Sequence, residues 1–281
     1  MPFRSETKLI LLGELAVFFQ PMGLLRRPKQ RAERELLHMQ QNMAIDQLMV
    51  ASEASVPIYR KVYAIDEATG FDVKGNILTD SLLDEEFAAE SKAKLHRLFP
   101  ASKRKKVICY IPAHRYRSKK SLYGELLDME LLQRELGDEY VVILHKQPET
   151  ARLVSNRLDI AGFSMDLTGK LTARQQFAAA DVIVGDYRNV MLEAPLTNKP
   201  LYLTAWDAAA GRYNSRQLFE YSEFAAGQTL TDTQDLIEKL RHVQTYDPTV
   251  WEPFKQKYLT YCDGHAADRL YAYLMENAKE E

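Results

Sequence analysis

The feature that most constrains this chain is the run from Lys106 to Ile111, Lys-Val-Ile-Cys-Tyr-Ile, which stops at Pro112. Its apolar residues are continuous rather than alternating, so both faces must be covered, as in the interior of a parallel sheet. Further strand-like runs follow at 140–144, 181–184 and 201–204, with a short element at 159–163. Helical patterns at 123–136, 172–180, 190–197 and 233–243 separate them, and Thr172 is placed to cap its helix. Strands alternating with helices of this length make βαβ units with right-handed crossovers. Two more helices, 250–258 and 266–276, are joined at Gly264. The fold class expected is α/β, with a Rossmann-type parallel sheet carrying helices on both faces.

The first hundred residues repeat the alternation in weaker form. Strands are expected at 8–12, 46–51 and 71–74, ending in turns at Gly13 and Gly75. Helices are expected at 29–43, at 54–63 behind Ser52 and Glu53, and at 84–98. A chain of 281 residues exceeds what one core usually fills. The expected division is therefore 1–98, a partial N-terminal α/β domain, and 99–281, a Rossmann-like domain. With 37 basic and 39 acidic residues the net charge is -2, which gives no general attraction for polyanions and makes nucleic acid an unexpected partner. Cys109 and Cys262 are too few and too far apart for a zinc site or a disulfide framework, and they suit a reducing cytoplasm. No metal or cofactor is expected. The apolar stretch at 9–19 is interrupted by Gly13 and Glu14 and is too short to span a bilayer. The cluster Arg26, Arg27, Lys29 and Arg31 reads either as a solvated helix start or as a surface for anionic lipid. The chain is thus expected to be cytoplasmic, meeting a membrane only from its surface.

In a parallel sheet, ligands sit beyond the carboxyl ends of the strands. After Ile111 come Pro112, Ala113, His114, Arg115 and Arg117, and the arginines suit a pyrophosphate. After Leu144 come His145, Lys146 and Gln147, where a histidine could act as general base or phosphate donor. After Val184 come Gly185, Asp186, Arg188 and Asn189 at a helix start, an anion site by its free N–H groups, with Glu193 one turn in to accept hydroxyls. Asp186 and Arg188 could equally form a structural ion pair. Gly13 and Glu14 follow the first strand. No Gly-x-Gly-x-x-Gly, Walker loop or Gly-x-Ser-x-Gly is present, which removes dehydrogenases, P-loop kinases and α/β-hydrolases from the front rank.

The stretch 178–200, Ala-Ala-Ala-Asp-Val-Ile-Val-Gly-Asp-Tyr-Arg-Asn-Val-Met-Leu-Glu-Ala-Pro-Leu-Thr-Asn-Lys-Pro, resembles the signature of the CDP-glycerol glycerophosphotransferase family, which builds teichoic-acid chains. Segments 107–115, 144–148 and 263–269 resemble further family motifs in the same order, and 74–80 does so more loosely. The resemblance implies a GT-B fold, with a donor bound mainly by the second domain and catalysis in the cleft. It implies transfer of glycerol phosphate from CDP-glycerol, with loss of CMP, to a lipid-linked polymer at the inner membrane face. By the same resemblance, Arg188 and Asn189 contact the donor phosphates, Glu193 replaces an aspartate that holds donor hydroxyls, and Pro112 to Arg115 line the nucleotide.

Three departures stand out. The family's Trp-His-Gly, whose histidine is the proposed base, would fall before Gly13, where Leu11 and Leu12 stand. Gln147 replaces its second histidine, and Leu78 replaces an arginine. Leucine cannot take a proton, so base catalysis needs another source. His145 could substitute; the chain could be truncated or mis-started; or it could be a silent relative that binds a donor or a partner transferase. A sugar-nucleotide-dependent GT-B glycosyltransferase is the other enzymatic reading.

Overall fold

The computed structural model describes residues 8–13, 16, 45–63, 65, 69–112, 127–146, 158–186, 188–204 and 221–277. They form two parallel sheets. The first holds β1 (Ile10–Leu12), β2 (Gln47–Val50) and β3 (Gly70–Val73) in that order, with Gln47 beside both Ile10 and Gly70. The second holds β4 (Lys106–Ile111), β5 (Tyr140–Leu144), β6 (Ser164–Asp166), β7 (Val182–Gly185) and β8 (Leu201–Leu203), arranged β6-β5-β4-β7-β8. The chain moves outward from β4 through β5 to β6, then crosses back to the other side of β4. That reversal sets a crevice beyond the carboxyl ends of β4 and β7.

Nine α-helices accompany the sheets among the described residues: α1 (Val56–Tyr63), α2 (Ile77–Asp80), α3 (Glu85–Leu98), α4 (Met129–Leu136), α5 (Ala173–Ala179), α6 (Tyr221–Ala225), α7 (Thr233–Arg241), α8 (Glu252–Tyr258) and α9 (Ala266–Asn277). Alternation along the strands decides which helix each residue meets. Ile108, Tyr110, Val142, Leu144, Val182 and Val184 pack in one buried cluster with Leu132 of α4 and with Leu236, Ile237 and Leu240 of α7. Val107, Cys109, Ile111, Val141, Ile143 and Ile183 turn the other way, into a cluster with Leu95 of α3, Phe177 of α5 and Trp251. That cluster runs without interruption to Leu48, Val50, Tyr59 and Val62 of the N-terminal half. The expected doubly covered parallel sheet is therefore present.

The segments 74–80 and 263–269 meet in a joint between the end of the first sheet and α9. Arg269 donates to the carbonyls of Lys74 and Tyr261, at 2.8 and 2.7 Å, and to both carboxylate oxygens of Asp263. Asp80 accepts from the N–H groups of Ala266 and Ala267, capping α9 from 186 residues away. Gly75 has φ +104°, and a Cβ there would lie 2.2 Å from the Tyr261 carbonyl oxygen, so glycine is required both by conformation and by contact.

Several expected elements differ. The edge strand is Ser164–Asp166, just beyond the expected 159–163, where turns replace it. The expected helix 190–197 is a 3-10 segment, Asn189–Thr197, because Pro195 inside it lacks the N–H an α-helix needs; it ends at Asn198 with φ 53°. Ser52 makes no cap bond to its helix and pairs instead with the Ser55 hydroxyl, at 2.9 Å. Thr172 does cap α5, in a full capping box with Gln175. The expected helix at 29–43 lies outside the described residues, as does the start of 123–136, whose described part is α4 behind Asp128.

Replacing Gly75 by alanine should cost about 2 kcal/mol or more in denaturant unfolding, since strain and overlap add. The same change at Gly162, which has φ +76° but nothing within 4 Å, should cost only about 1–2 kcal/mol. Equal losses would show that the Tyr261 contact is not what fixes Gly75.

Candidate functional site

The carboxyl ends of β4, β5, β7 and β8 lie along one edge because the strands are parallel. Thr204, just past β8, donates through its N–H and its hydroxyl to the Gly185 carbonyl, at 2.7 and 3.1 Å, tying the last two strand ends together. Pro112 is buried at the end of β4, and Asp186 is 4% exposed at the end of β7. The N–H of Arg188 turns back to the Asp186 carbonyl, at 2.6 Å, so the chain reverses tightly before Asn189 starts the 3-10 segment. The Arg188 guanidinium then reaches across the sheet edge and donates from Nη1 to the His145 carbonyl, at 3.1 Å. Pro112, His145, Asp186, Arg188 and Asn189 thus share one edge of the five-stranded sheet.

His145 is held from one side. Gln176 Nε2 lies 2.9 Å from its Nδ1 and also donates to the Leu171 carbonyl, at 3.3 Å. Burial lowers the imidazole pKa to about 4, and the charge of Arg188 pushes the same way against the pull of Asp166. The ring is therefore neutral at neutral pH. Its Nδ1 faces the Gln176 amide, which leaves that nitrogen poorly placed to take a proton from a substrate. Neighbouring Lys146 is 3% exposed and paired with Asp159 and Asp166, at 3.3 and 3.2 Å, which makes it a structural cation.

Glu193 has no exposure at all. Both its oxygens take the Arg174 fork, Nε to Oε2 at 2.7 Å and Nη2 to Oε1 at 2.8 Å, and Oε1 also accepts the Ala16 N–H at 3.2 Å. Burial pushes its carboxyl up against the pull of that fork. Ala16 belongs to the segment after β1, so Glu193 joins the N-terminal half to the five-stranded sheet. Ser55 secures the same point by donating to the Ala16 carbonyl, at 3.3 Å.

Gly13 lies on a separate pocket of about 160 Å³, lined by Leu12, Gly13, Met49, Gly75, Asn76, Ile77 and Leu78. It opens at the carboxyl ends of the N-terminal strands. Leu12 and Leu78, which stand where the resemblance puts a histidine and an arginine, come together on its wall, 43% and 45% exposed. The lone polar side chain of the lining, Asn76, is committed: its Nδ2 donates to the Gly13 carbonyl and its Oδ1 accepts the Leu78 N–H. The pocket therefore offers apolar surface where the family pattern carries a base and a cation.

Glu14, Ala113, Arg115 and Gln147 lie outside the described residues. Sequence reasoning missed Arg174 and Gln176, whose partners are 19 and 31 residues away. A faint signal existed for Gln176, which sits on the helix face shared with Ala173 and Ala180 and so had to find a buried partner. Among the described residues, no group of three or more His, Cys, Asp or Glu could hold a metal ion, and no helix is long and apolar enough to cross a membrane.

Two Rossmann-type parallel sheets joined through Glu193, with a ligand edge beyond β4 and β7, define a GT-B-type fold. The chain belongs to the CDP-glycerol:poly(glycerophosphate) glycerophosphotransferase family, whose profile matches residues 1–276. The teichoic acid ribitol-phosphate primase of Bacillus spizizenii is 24% identical over 96% of this chain and 70% of that protein. The teichoic acid ribitol-phosphate polymerase TarL of Staphylococcus aureus is 25% identical over 95% of this chain and 48% of its own. The chain thus spans about half the length of that polymerase. The solved wall teichoic acid polymerase TagF superposes with a TM-score of 0.77 at 20% identity, covering 99% of this chain and 69% of that one. A histidine-to-asparagine variant of TagF soaked with CDPG gives 0.78 at 19% identity.

The His145 environment fixes a pH dependence. An imidazole held near pKa 4 when folded and 6.5 when unfolded binds fewer protons in the native state across that window. Stability should therefore fall as pH drops from 6.5 towards 4, by roughly 3 kcal/mol at most. Denaturant melts should show this slope in the wild type and a shallower one in His145→Gln; parallel slopes would contradict the assignment.

Proposed function

We propose that this protein binds CDP-glycerol, or a related nucleotide-activated polyol phosphate, at the carboxyl edge of the five-stranded sheet. In this reading it transfers glycerol phosphate to a lipid-linked acceptor in the assembly of a teichoic-acid-type polymer. Residues 99–281 are its donor side and residues 1–98 its acceptor side, and the acceptor brings it to a membrane face. The observation that carries the reading is Arg188, fixed between the ends of β7 and β5 with Asn189 beside it. There a guanidinium meets the phosphates at the switch point of the sheet.

An acceptor hydroxyl attacks the phosphorus that bears glycerol; the new P–O bond forms as the bond to CMP breaks, CMP carries away the electron pair, and the hydroxyl proton passes to solvent or to the departing phosphate. Such a transition state is loose, so positioning and charge do most of the work. A general base adds typically about 10²–10⁴-fold. Leu12 and Leu78 withhold that share from the N-terminal pocket, which favours a second reading: a chain that holds donor without turning it over, as partner to an active transferase.

CMP release with lipid-linked acceptor separates the two. The transferase reading expects slow release that Leu12→His raises by about 10²-fold. Donor binding with no release in either form leaves the silent partner. Arg188→Ala should weaken CDP-glycerol binding in calorimetry by about 1–3 kcal/mol. Unchanged affinity, or tighter binding of a sugar nucleotide across a donor panel, would remove the glycerophosphate reading.

A further inference from the structure

His145 and Gln176 form a unit whose chemistry the donor reading does not use. Gln176 is fully buried, and its amide orientation is set by its surroundings: Nε2 faces the Leu171 carbonyl, while Oε1 lies 3.9 Å from the Cys109 thiol. Turning the amide over would set its oxygen against the Leu171 carbonyl oxygen, two acceptors facing each other with no proton between them. The group 2.9 Å from His145 Nδ1 is therefore an N–H donor, and Nδ1 must accept. A neutral imidazole that accepts at Nδ1 carries its proton on Nε2. Nε2 lies across the ring from Gln176 and has no partner among the described residues. The His145 carbonyl holds Arg188 at the same sheet edge, at 3.1 Å.

We infer that Gln176 is a positioning residue which fixes His145 as a neutral Nε2–H donor to a phosphate oxygen of the bound nucleotide donor, beside Arg188. The inference rests on the donor reading for its ligand, though not for the state of the ring. Of the two roles the sequence leaves open for His145, it selects hydrogen-bond donor to phosphate over general base. It also gives a reason for a buried glutamine one turn into α5, where an apolar side chain would otherwise suit the face.

Two measurements test it. Long-range nitrogen–proton NMR of the free wild-type protein at neutral pH should show His145 with its proton on Nε2; a proton on Nδ1 overturns the inference whatever the ligand does. Calorimetry with CDP-glycerol then compares His145→Gln, whose amide can offer an N–H near the same place, with His145→Ala. A donor role predicts affinity within a few-fold of wild type for the glutamine variant and a loss of about tenfold or more for alanine. Gln176→Leu should mix the tautomers and weaken binding by an intermediate factor. Equal losses in the two His145 variants, or unaltered affinity in Gln176→Leu, overturn the positioning role. Failure of the wild type itself to bind CDP-glycerol defeats the donor reading instead, and the tautomer measurement then decides the positioning role alone.

Discussion

The Glu193 carboxylate is the constraint on which the geometry depends. A buried charge left unpaired is strongly destabilising, so Arg174 and the Ala16 N–H must both stay in place. Arg174 belongs to α5, Glu193 to the segment after β7, and Ala16 to the segment after β1. One carboxylate thereby fixes how the two sheets present their carboxyl ends. The Arg269 joint does the same at the far end of the chain with partners near the surface. Between these two ties the carboxyl edge of the five-stranded sheet and the N-terminal pocket keep their places.

The same helix α5 serves the site twice. Arg174 on one of its faces holds Glu193, and Gln176 two residues later holds His145. Its carboxyl end is closed by Lys199, which donates to the Phe177 and Ala178 carbonyls at 2.8 and 2.7 Å. Asn198 takes the left-handed turn that brings Lys199 there. The Asn-Lys-Pro part of the signature thus has a structural explanation. The carboxyl edge of the five-stranded sheet, by contrast, carries Arg188 and Asn189, which the sequence alone sets at a strand end.

Most of the second sheet was legible because its strands are buried on both faces. Runs 106–111 and 140–144 are continuous apolar stretches and appear in the structure with those bounds. The edge strand Ser164–Asp166 was misplaced by a few residues because an edge needs little hydrophobicity, and Asp166 is occupied with Thr168. Position 193 points to donor hydroxyls both by its place one turn into the helix and by the family resemblance. Its partners, on α5 and after β1, are set by tertiary contacts 19 and 177 residues away that no local pattern encodes. The convergence of Leu12 and Leu78 on one pocket was equally hidden, although each substitution was visible by itself.

The proposed function thus joins a family member's five-stranded sheet, with Arg188 and Asn189 at its carboxyl edge, to an N-terminal pocket lined by Leu12 and Leu78. Hydrogen exchange with and without CDP-glycerol tests this most directly. The account predicts protection concentrated in amides 140–146 and 182–192, at the ends of β5 and β7, with the pocket around Leu12 and Leu78 unchanged. Protection confined to that pocket, or absent throughout at saturating CDP-glycerol, would contradict it.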